Sequence, residues 1–440
     1  MITTSLDHKQ HRNPGIALAV TVGIMLCVGN SYAAFLGDGT KPFHNGGTGE
    51  CDGCHATRAA ENGAIGKKTG RVNLLGSDAS STCLRCHETP EGFHHDEPYR
   101  IATSSIELSD GAPRQFTPGG DFSWLKKNYR WVGEGRQGEF SPGERHGHNI
   151  VAADYGYTAD SRLTTAPGGS FPSKVLSCIS CHDPHGNYRR SNEGTISNTG
   201  KPIIASGSYN NSPVPDASGT VGVYRMLAGK GYQGAPGIEF TTDPPAAVAP
   251  SSYNREEAST DTRVAYGSGM SEWCSNCHGS IHDAGTGNAS QHPSGKQARL
   301  SAEATYNYNA YLSSGNLNGS AATAYSSLVP FEMGTDDYTV LKATANSNGS
   351  NRSGATMDSN VMCLSCHRAH ASGWDSMMRW NANATFIVYN GNYPGTDNGA
   401  PAAVAQGRTS SEAKAAMYGR KASAFAMYQR SFCNKCHAKD

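Results

Sequence analysis

Apolar positions in this chain rarely recur with a helical or strand period. Short apolar stretches alternate with runs of Gly, Ser, Asn and Tyr, as in residues 206–213, which read as loops. Three segments carry a helical pattern. Residues 410–418 open on an N-cap serine with Glu412 and good helix formers behind it; residues 253–260 and 302–312 are the others. Residues 126–132 alternate in polarity and predict half of a hairpin. Nothing in the pattern predicts a conventional domain.

The apolar run at residues 16–28 follows the basic residues Lys9 and Arg12 and precedes small residues at 31–34. That order is a signal peptide over residues 1–34, with a run too short for a spanning helix. Cys27 raises a lipoprotein alternative, but Leu26 stands where a small residue is wanted. No later segment has the length and hydropathy to span a membrane. The expectation is an exported chain whose residues 35–440 form a single unit.

Composition sharpens the picture. Only 37% of the residues are hydrophobic, mean hydropathy is -0.53, and Gly and Pro number 52 and 21. Such a chain buries too little apolar surface to offset the entropy of ordering, so something other than side chains is expected to supply its core. The 37 basic and 37 acidic residues balance. The absence of a basic surplus argues against a nucleic-acid partner.

The 13 cysteines supply what is missing. Apart from Cys27 they form six Cys-x-x-Cys-His motifs: Cys51, Cys54 and His55; Cys83, Cys86 and His87; Cys178, Cys181 and His182; Cys274, Cys277 and His278; Cys363, Cys366 and His367; Cys433, Cys436 and His437. Two thiols at this spacing reach the two vinyl groups of one haem, and the adjacent histidine becomes the proximal iron ligand. Zinc or structural disulfides would give no reason for a histidine after every second cysteine. Six covalent c-type haems are therefore expected, the chain wrapping a row of them with short helices, few hairpins and irregular loops. Motif starts lie 32, 95, 96, 89 and 70 residues apart, with no internal sequence repeat besides the motif itself.

Nine histidines of residues 35–440 remain for the distal positions. His185, His282 and His370 follow a proximal histidine by three or four residues, too close to fold over the same haem but placed to reach a neighbouring iron. His148 and His292 are further candidates, with His44, His94, His95 and His146 weaker. Methionine is the alternative distal ligand and would raise the potential. The surplus of histidine favours bis-histidine ligation, which leaves no vacancy for substrate and points to electron transfer.

The chain also resembles the OmcS-like family of hexahaem outer-surface cytochromes of metal-reducing bacteria, whose subunits polymerise into conductive filaments. The resemblance runs from Phe43-His-Asn-Gly-Gly to Cys433-Asn-Lys-Cys-His-Ala-Lys-Asp440. It includes Thr117-Pro-Gly-Gly-Asp-Phe, Gly147-His-Asn-Ile-Val-Ala and Val264-Ala-Tyr-Gly-Ser-Gly-Met-Ser-Glu-Trp-Cys. It implies the six proximal histidines and supports His44, His148, His185, His282, His292 and His370 as histidine positions, whereas His146 stands where the family has lysine.

The same resemblance carries one departure. In that family a histidine three residues past the first motif's histidine is donated to the next subunit; here that position is Arg58, which stays protonated and cannot bind iron. An insertion at residues 35–42 also alters this arm. Three outcomes stay open: His44, His94 or His95 crosses the interface, the polymer is built differently, or one haem lacks that ligand and the protein stays discrete. The functions weighed are a polymerising electron conduit to external acceptors such as metal oxides, a discrete electron shuttle, and a multihaem reductase with one open iron. The reductase is disfavoured because no Cys-x-x-Cys-Lys motif occurs. The expected partners are copies of the chain, periplasmic or outer-membrane donor cytochromes and an acceptor outside the cell; no enzyme activity is expected.

Overall fold

The computed structural model describes residues 44, 53–55, 74–88, 99–109, 111–135, 137–197, 203–210, 212–216, 219–249, 264–282, 292–325, 329–345 and 354–437. The leader, the insertion at 35–42, Cys51, Arg58, His94, His95 and the helix expected at 253–260 lie outside them. The described chain is mostly irregular, with short helices, single 3-10 turns and small sheets.

Two of the three expected helices, and the hairpin, are present among the described residues with shifted ends. The helix at Ser410–Ala416 is capped by Thr409, one residue earlier than the sequence pattern suggests. Thr409 Oγ1 accepts from the Glu412 amide, and the Glu412 carboxylate accepts from the Thr409 amide. A second helix spans Ala302–Ala310 behind the cap Ser301. Tyr129–Val132 pairs antiparallel with Gly138–Ser141, while Phe122–Lys126 just before it coils into a 3-10 turn. Among the described residues no helix is long and apolar enough to cross a membrane.

The expectation that side chains supply no core needs correction. Trp124, Tyr129, Trp374, Trp380, Phe425 and Phe432 belong to one buried cluster joined by Met417, Ile387 and Val388. Aromatic side chains spaced irregularly in sequence leave no periodic signal, yet each removes a large apolar area from water. Cations complete the packing: the Arg408 guanidinium lies 4.1 Å from the Tyr129 ring centre and 4.6 Å from that of Trp374. Lys435, inside the sixth motif, buries its ammonium and donates to the carbonyls of Tyr308 and Tyr325. That motif is therefore anchored from within.

A four-stranded sheet that the sequence did not announce steadies the fourth motif. Its strands lie in the order Ser359–Asn360, Glu332–Met333, Ala265–Tyr266 and Ala247–Val248, each only two residues long. Glu332 is fully buried, and its carboxylate accepts from the amides of Gly269 (3.1 Å) and Met270 (3.0 Å) at the start of the helix Met270–His282. An acceptor there satisfies amides that have no partner within the helix. Burial pushes the Glu332 carboxyl up to about 7, although the two amides act against it.

The raised value means that the folded chain holds a proton the unfolded chain releases. Stability from this group is full below its ordinary 4.5 and is lost as pH rises through about 7. Thermal midpoints measured across that window should fall less steeply in Glu332→Gln than in the parent. Glu332→Ala, which strands two amides, should cost about 2–3 kcal/mol below pH 4.5, where the parent keeps the full contribution of this group.

Candidate functional site

Four of the motif histidines are held by backbone carbonyls from other segments of the chain. The His87 Nδ1–H donates to the Tyr99 carbonyl at 2.7 Å, His182 to Arg225 at 2.9 Å, His278 to Pro167 at 2.8 Å and His367 to Ser376 at 2.7 Å. Each bond fixes the tautomer and leaves Nε2 as the nitrogen able to bind a metal. Two of the acceptors, Arg225 (φ 52°) and Ser376 (φ 58°), are non-glycine residues in the left-handed region, each followed by a methionine in the same conformation. A tight turn thus aims a carbonyl back at the ring.

Among the described residues five pairs of histidine rings face each other at nearly one distance. The centroids are 6.3 Å apart for His44 and His87, 6.3 Å for His55 and His185, and 6.1 Å for His148 and His278. They are 6.4 Å apart for His182 and His370 and 6.2 Å for His292 and His437. Two imidazoles bonded at about 2 Å to opposite faces of one iron have centroids roughly 6 Å apart. Every pair joins one motif histidine to one histidine outside the motifs, and a haem fits between such rings. The fit extends to charge, since a ligand imidazole must be neutral. Burial lowers the ring pKa to about 4 in His44 and His148 and to about 3 in His370, and in the same direction in His87 and His182.

The expected distal candidates separate accordingly. His44, weaker by its own pattern but supported by the resemblance, takes a place like the others, and His148, His185, His292 and His370 are each opposite a motif histidine. The side chain of His282 lies outside the described residues. His146 is in another role altogether: its Nδ1–H donates to the Trp124 carbonyl at 3.0 Å and its Nε2 is 2.8 Å from Ser141 Oγ. With both ring nitrogens engaged and the side chain wholly buried, it braces the hairpin against Asp375. Burial opposes ionisation of that aspartate, but hydrogen bonds from Ser141 and Arg145, with the His146 ring close by, hold its carboxyl at about 2.

The cysteines run in chain order. The Cys83 thiol is in hydrogen-bond contact with Cys178, and Cys274 with Cys363. Cys181 lies close enough to Cys277, and Cys366 to Cys433, to influence its ionisation, as Cys54 does Cys83. The motifs therefore lie in space in their order in the sequence. Those of the second to fifth motifs form no disulfides, and among the described residues no cluster of three or more His, Cys, Asp or Glu side chains is placed to hold a metal by itself.

A repeat invisible in the sequence underlies this order. At the first, third and fifth motifs the amides of Leu75, Ala228 and Arg379 donate to the carbonyls of Cys54, Cys181 and Cys366 at 2.8–2.9 Å. The bridges His55 with Leu74, His182 with Leu227 and His367 with Met378 recur beside them. The joints recur too: the Cys178 amide donates to Ser80 Oγ (3.1 Å) and the Cys363 amide to Ser271 Oγ (3.0 Å), each serine three residues before the preceding motif. Ring pairing follows the same units. His185 and His370, three residues past the third and fifth motif histidines, face the histidines of the first and third motifs. His44, His148 and His292, each ahead of an odd-numbered motif, face the histidine of the even-numbered motif that follows.

The ligand loops interlock through glycine. The His370 amide donates to the Gly119 carbonyl at 2.7 Å, and the His148 amide to the His370 carbonyl at 2.9 Å. Gly120 has φ +93°, and a Cβ there would lie 1.8 Å from the Ala371 carbonyl oxygen. Only glycine lets the 117–122 turn approach the His370 loop this closely.

Comparison with known proteins was made at the level of sequence and of structure. The C-type cytochrome OmcS of Geobacter sulfurreducens is 49% identical to this chain, over 97% of this chain and 99% of OmcS. The cryo-EM structure of the OmcS nanowires of that organism superposes with a TM-score of 0.80 at 50% identity, covering 90% of this chain and 100% of that one. Its Outer Membrane Cytochrome S filament superposes with a TM-score of 0.79 at 49% identity and the same coverage. No protein-family model matches.

The geometry sets the bracing His146 apart from the paired histidines, and substitution tells the two roles apart. His146→Gln should leave the haem content and visible spectrum of the protein unchanged while lowering stability by about 1–3 kcal/mol. Gly120→Ala should do the opposite, perturbing the low-spin spectrum of a haem through the displaced His370 loop.

Proposed function

The chain belongs to the OmcS family of c-type cytochromes, electron carriers with covalently bound haem, and from that premise we propose that it carries six haems and passes electrons along them outside the cell as one subunit of a homopolymer. The observation that carries this reading is the set of five facing imidazole pairs at 6.1–6.4 Å, strung along motifs that keep their chain order.

In this reading Cys51, Cys54, Cys83, Cys86, Cys178, Cys181, Cys274, Cys277, Cys363, Cys366, Cys433 and Cys436 form the thioethers. His55, His87, His182, His278, His367 and His437 are the proximal ligands, and His185, His44, His370, His148 and His292 are distal to the first, second, third, fourth and sixth. When bound, each haem supplies a reversible one-electron iron couple, and electrons tunnel between neighbours with a rate that falls exponentially with edge separation. The protein keeps neighbours near by making one short segment serve two sites. Residues 178–185 fix two cysteines and a proximal histidine for the third haem and reach the first with His185. The carbonyls that hold Nδ1 stop the rings from turning as charge comes and goes. Residues 1–34 act as the signal peptide and residues 35–440 as a single hexahaem unit on the cell surface. Electrons arrive from periplasmic or outer-membrane cytochromes and leave to an external acceptor such as a metal oxide.

Cryo-electron microscopy of material sheared from the outside of expressing cells tests the polymer. Filaments with one continuous haem row are expected; discrete particles with all haems loaded would leave a soluble electron shuttle instead. Haem stoichiometry by alkaline pyridine spectrum should give six per chain, and His185→Ala should turn one of them from low-spin to high-spin.

A further inference from the structure

We propose that the sixth coordination position of the iron held by His367 is not closed by a histidine in this protein and takes a small exogenous ligand, carbon monoxide in the reduced form. The inference rests on the six-haem reading above and goes beyond it by singling out one site.

The argument is one of elimination within the repeat. Three odd-numbered motifs present three proximal histidines, His55, His182 and His367, and three positions three residues further on, Arg58, His185 and His370. His185 faces His55 and His370 faces His182. The proximal histidine left over is His367 and the position left over is Arg58. His367 is mounted as its counterpart His182 is: Nδ1 donates to the Ser376 carbonyl at 2.7 Å, the next amide, Arg368, donates to Met377 at 2.8 Å, and the motif amide of Met362 donates to Ser365 Oγ. Its Nε2 is therefore presented for iron as the others are. Yet among the described residues no histidine ring faces it at the spacing of the other five pairs.

The repeat assigns that place to the first module of an adjoining copy, and there this sequence offers arginine. A guanidinium remains protonated and has no lone pair for a metal. The other described histidine outside the five pairs, His146, has both nitrogens engaged. His282 lies four residues past His278, an offset at which the second motif has Glu91 rather than histidine, so the repeat gives it no ligand role. A ferrous iron with five nitrogen ligands binds carbon monoxide, whereas one with six strong ligands does not.

The test is a carbon monoxide titration of the dithionite-reduced, fully loaded protein, read in the visible spectrum. The expected result is saturation at one carbon monoxide per chain, that is, at one haem in six. In polymerised material Arg58→His supplies the missing imidazole and should reduce that uptake to near zero, while His94→Ala, His95→Ala and His282→Ala leave it at the parent level. No uptake by the parent, with uptake appearing in one of those three alanine variants, would give the position to that histidine and overturn the proposal. So would uptake that persists undiminished in the polymerised Arg58→His protein. Fewer than six haems in the pyridine spectrum would count against the six-haem reading itself, independently of the carbon monoxide result.

Discussion

The structure depends on a hydrogen bond that is easily overlooked, from an imidazole Nδ1–H to a backbone carbonyl. It recurs at His87, His182, His278 and His367, and on the facing side at His148, whose Nδ1 donates to Ala369 at 2.7 Å. A ring so held can present only Nε2, in one direction. Left-handed turns at Arg225 and Ser376, where side chains other than glycine rarely sit, are tolerated because they aim that carbonyl. The backbone is strained locally so that the ligand is not.

From this follows a division of labour between cofactor and side chains. A chain with 37% hydrophobic residues cannot wrap six such motifs in an ordinary core, and the motif segments are correspondingly short and irregular. Where side chains do build a core, they use aromatic rings and buried cations around Trp124, Trp374 and Phe432. That cluster packs beside the fifth and sixth motifs, and Lys435 ties the last of them to Tyr308 and Tyr325. The last motif is therefore held by protein packing in its own right.

Much of the site was legible in the sequence, because covalent chemistry demands a fixed local spacing. Cys-x-x-Cys-His identifies twelve cysteines and six histidines with no structural information, and His185 and His370 stood out by their short offset from a proximal histidine. What each distal histidine faces was not legible. On their own pattern His44 and His146 looked equally weak, and only the family resemblance separated them; His44 faces His87, and His146 is a buried brace. The difference lies in which carbonyl and hydroxyl groups surround the ring, and those come from residues such as Trp124 and Ser141 with no motif of their own. The helix at Ser410–Ala416 was recognisable from its cap chemistry, whereas the two-residue strands around Glu332 are too short to leave a period.

The repeat was hidden for a related reason. His44, His148 and His292 each face the histidine of an even-numbered motif from positions 7, 30 and 71 residues ahead of the odd-numbered motif that follows each. Loop closure grows only logarithmically with length, about 0.6 kcal/mol per doubling and so roughly 2 kcal/mol across this tenfold range, so the connections can differ widely while the ring-to-ring geometry is kept. The offset of three residues from His182 to His185 and from His367 to His370 has no such freedom, because a longer segment would let the neighbouring sites drift apart. Variable loops and invariant offsets are thus two sides of one requirement. Contact must be close between neighbouring sites, and the length of chain between them is free so long as the carbonyls and the glycine that hold the rings arrive in place.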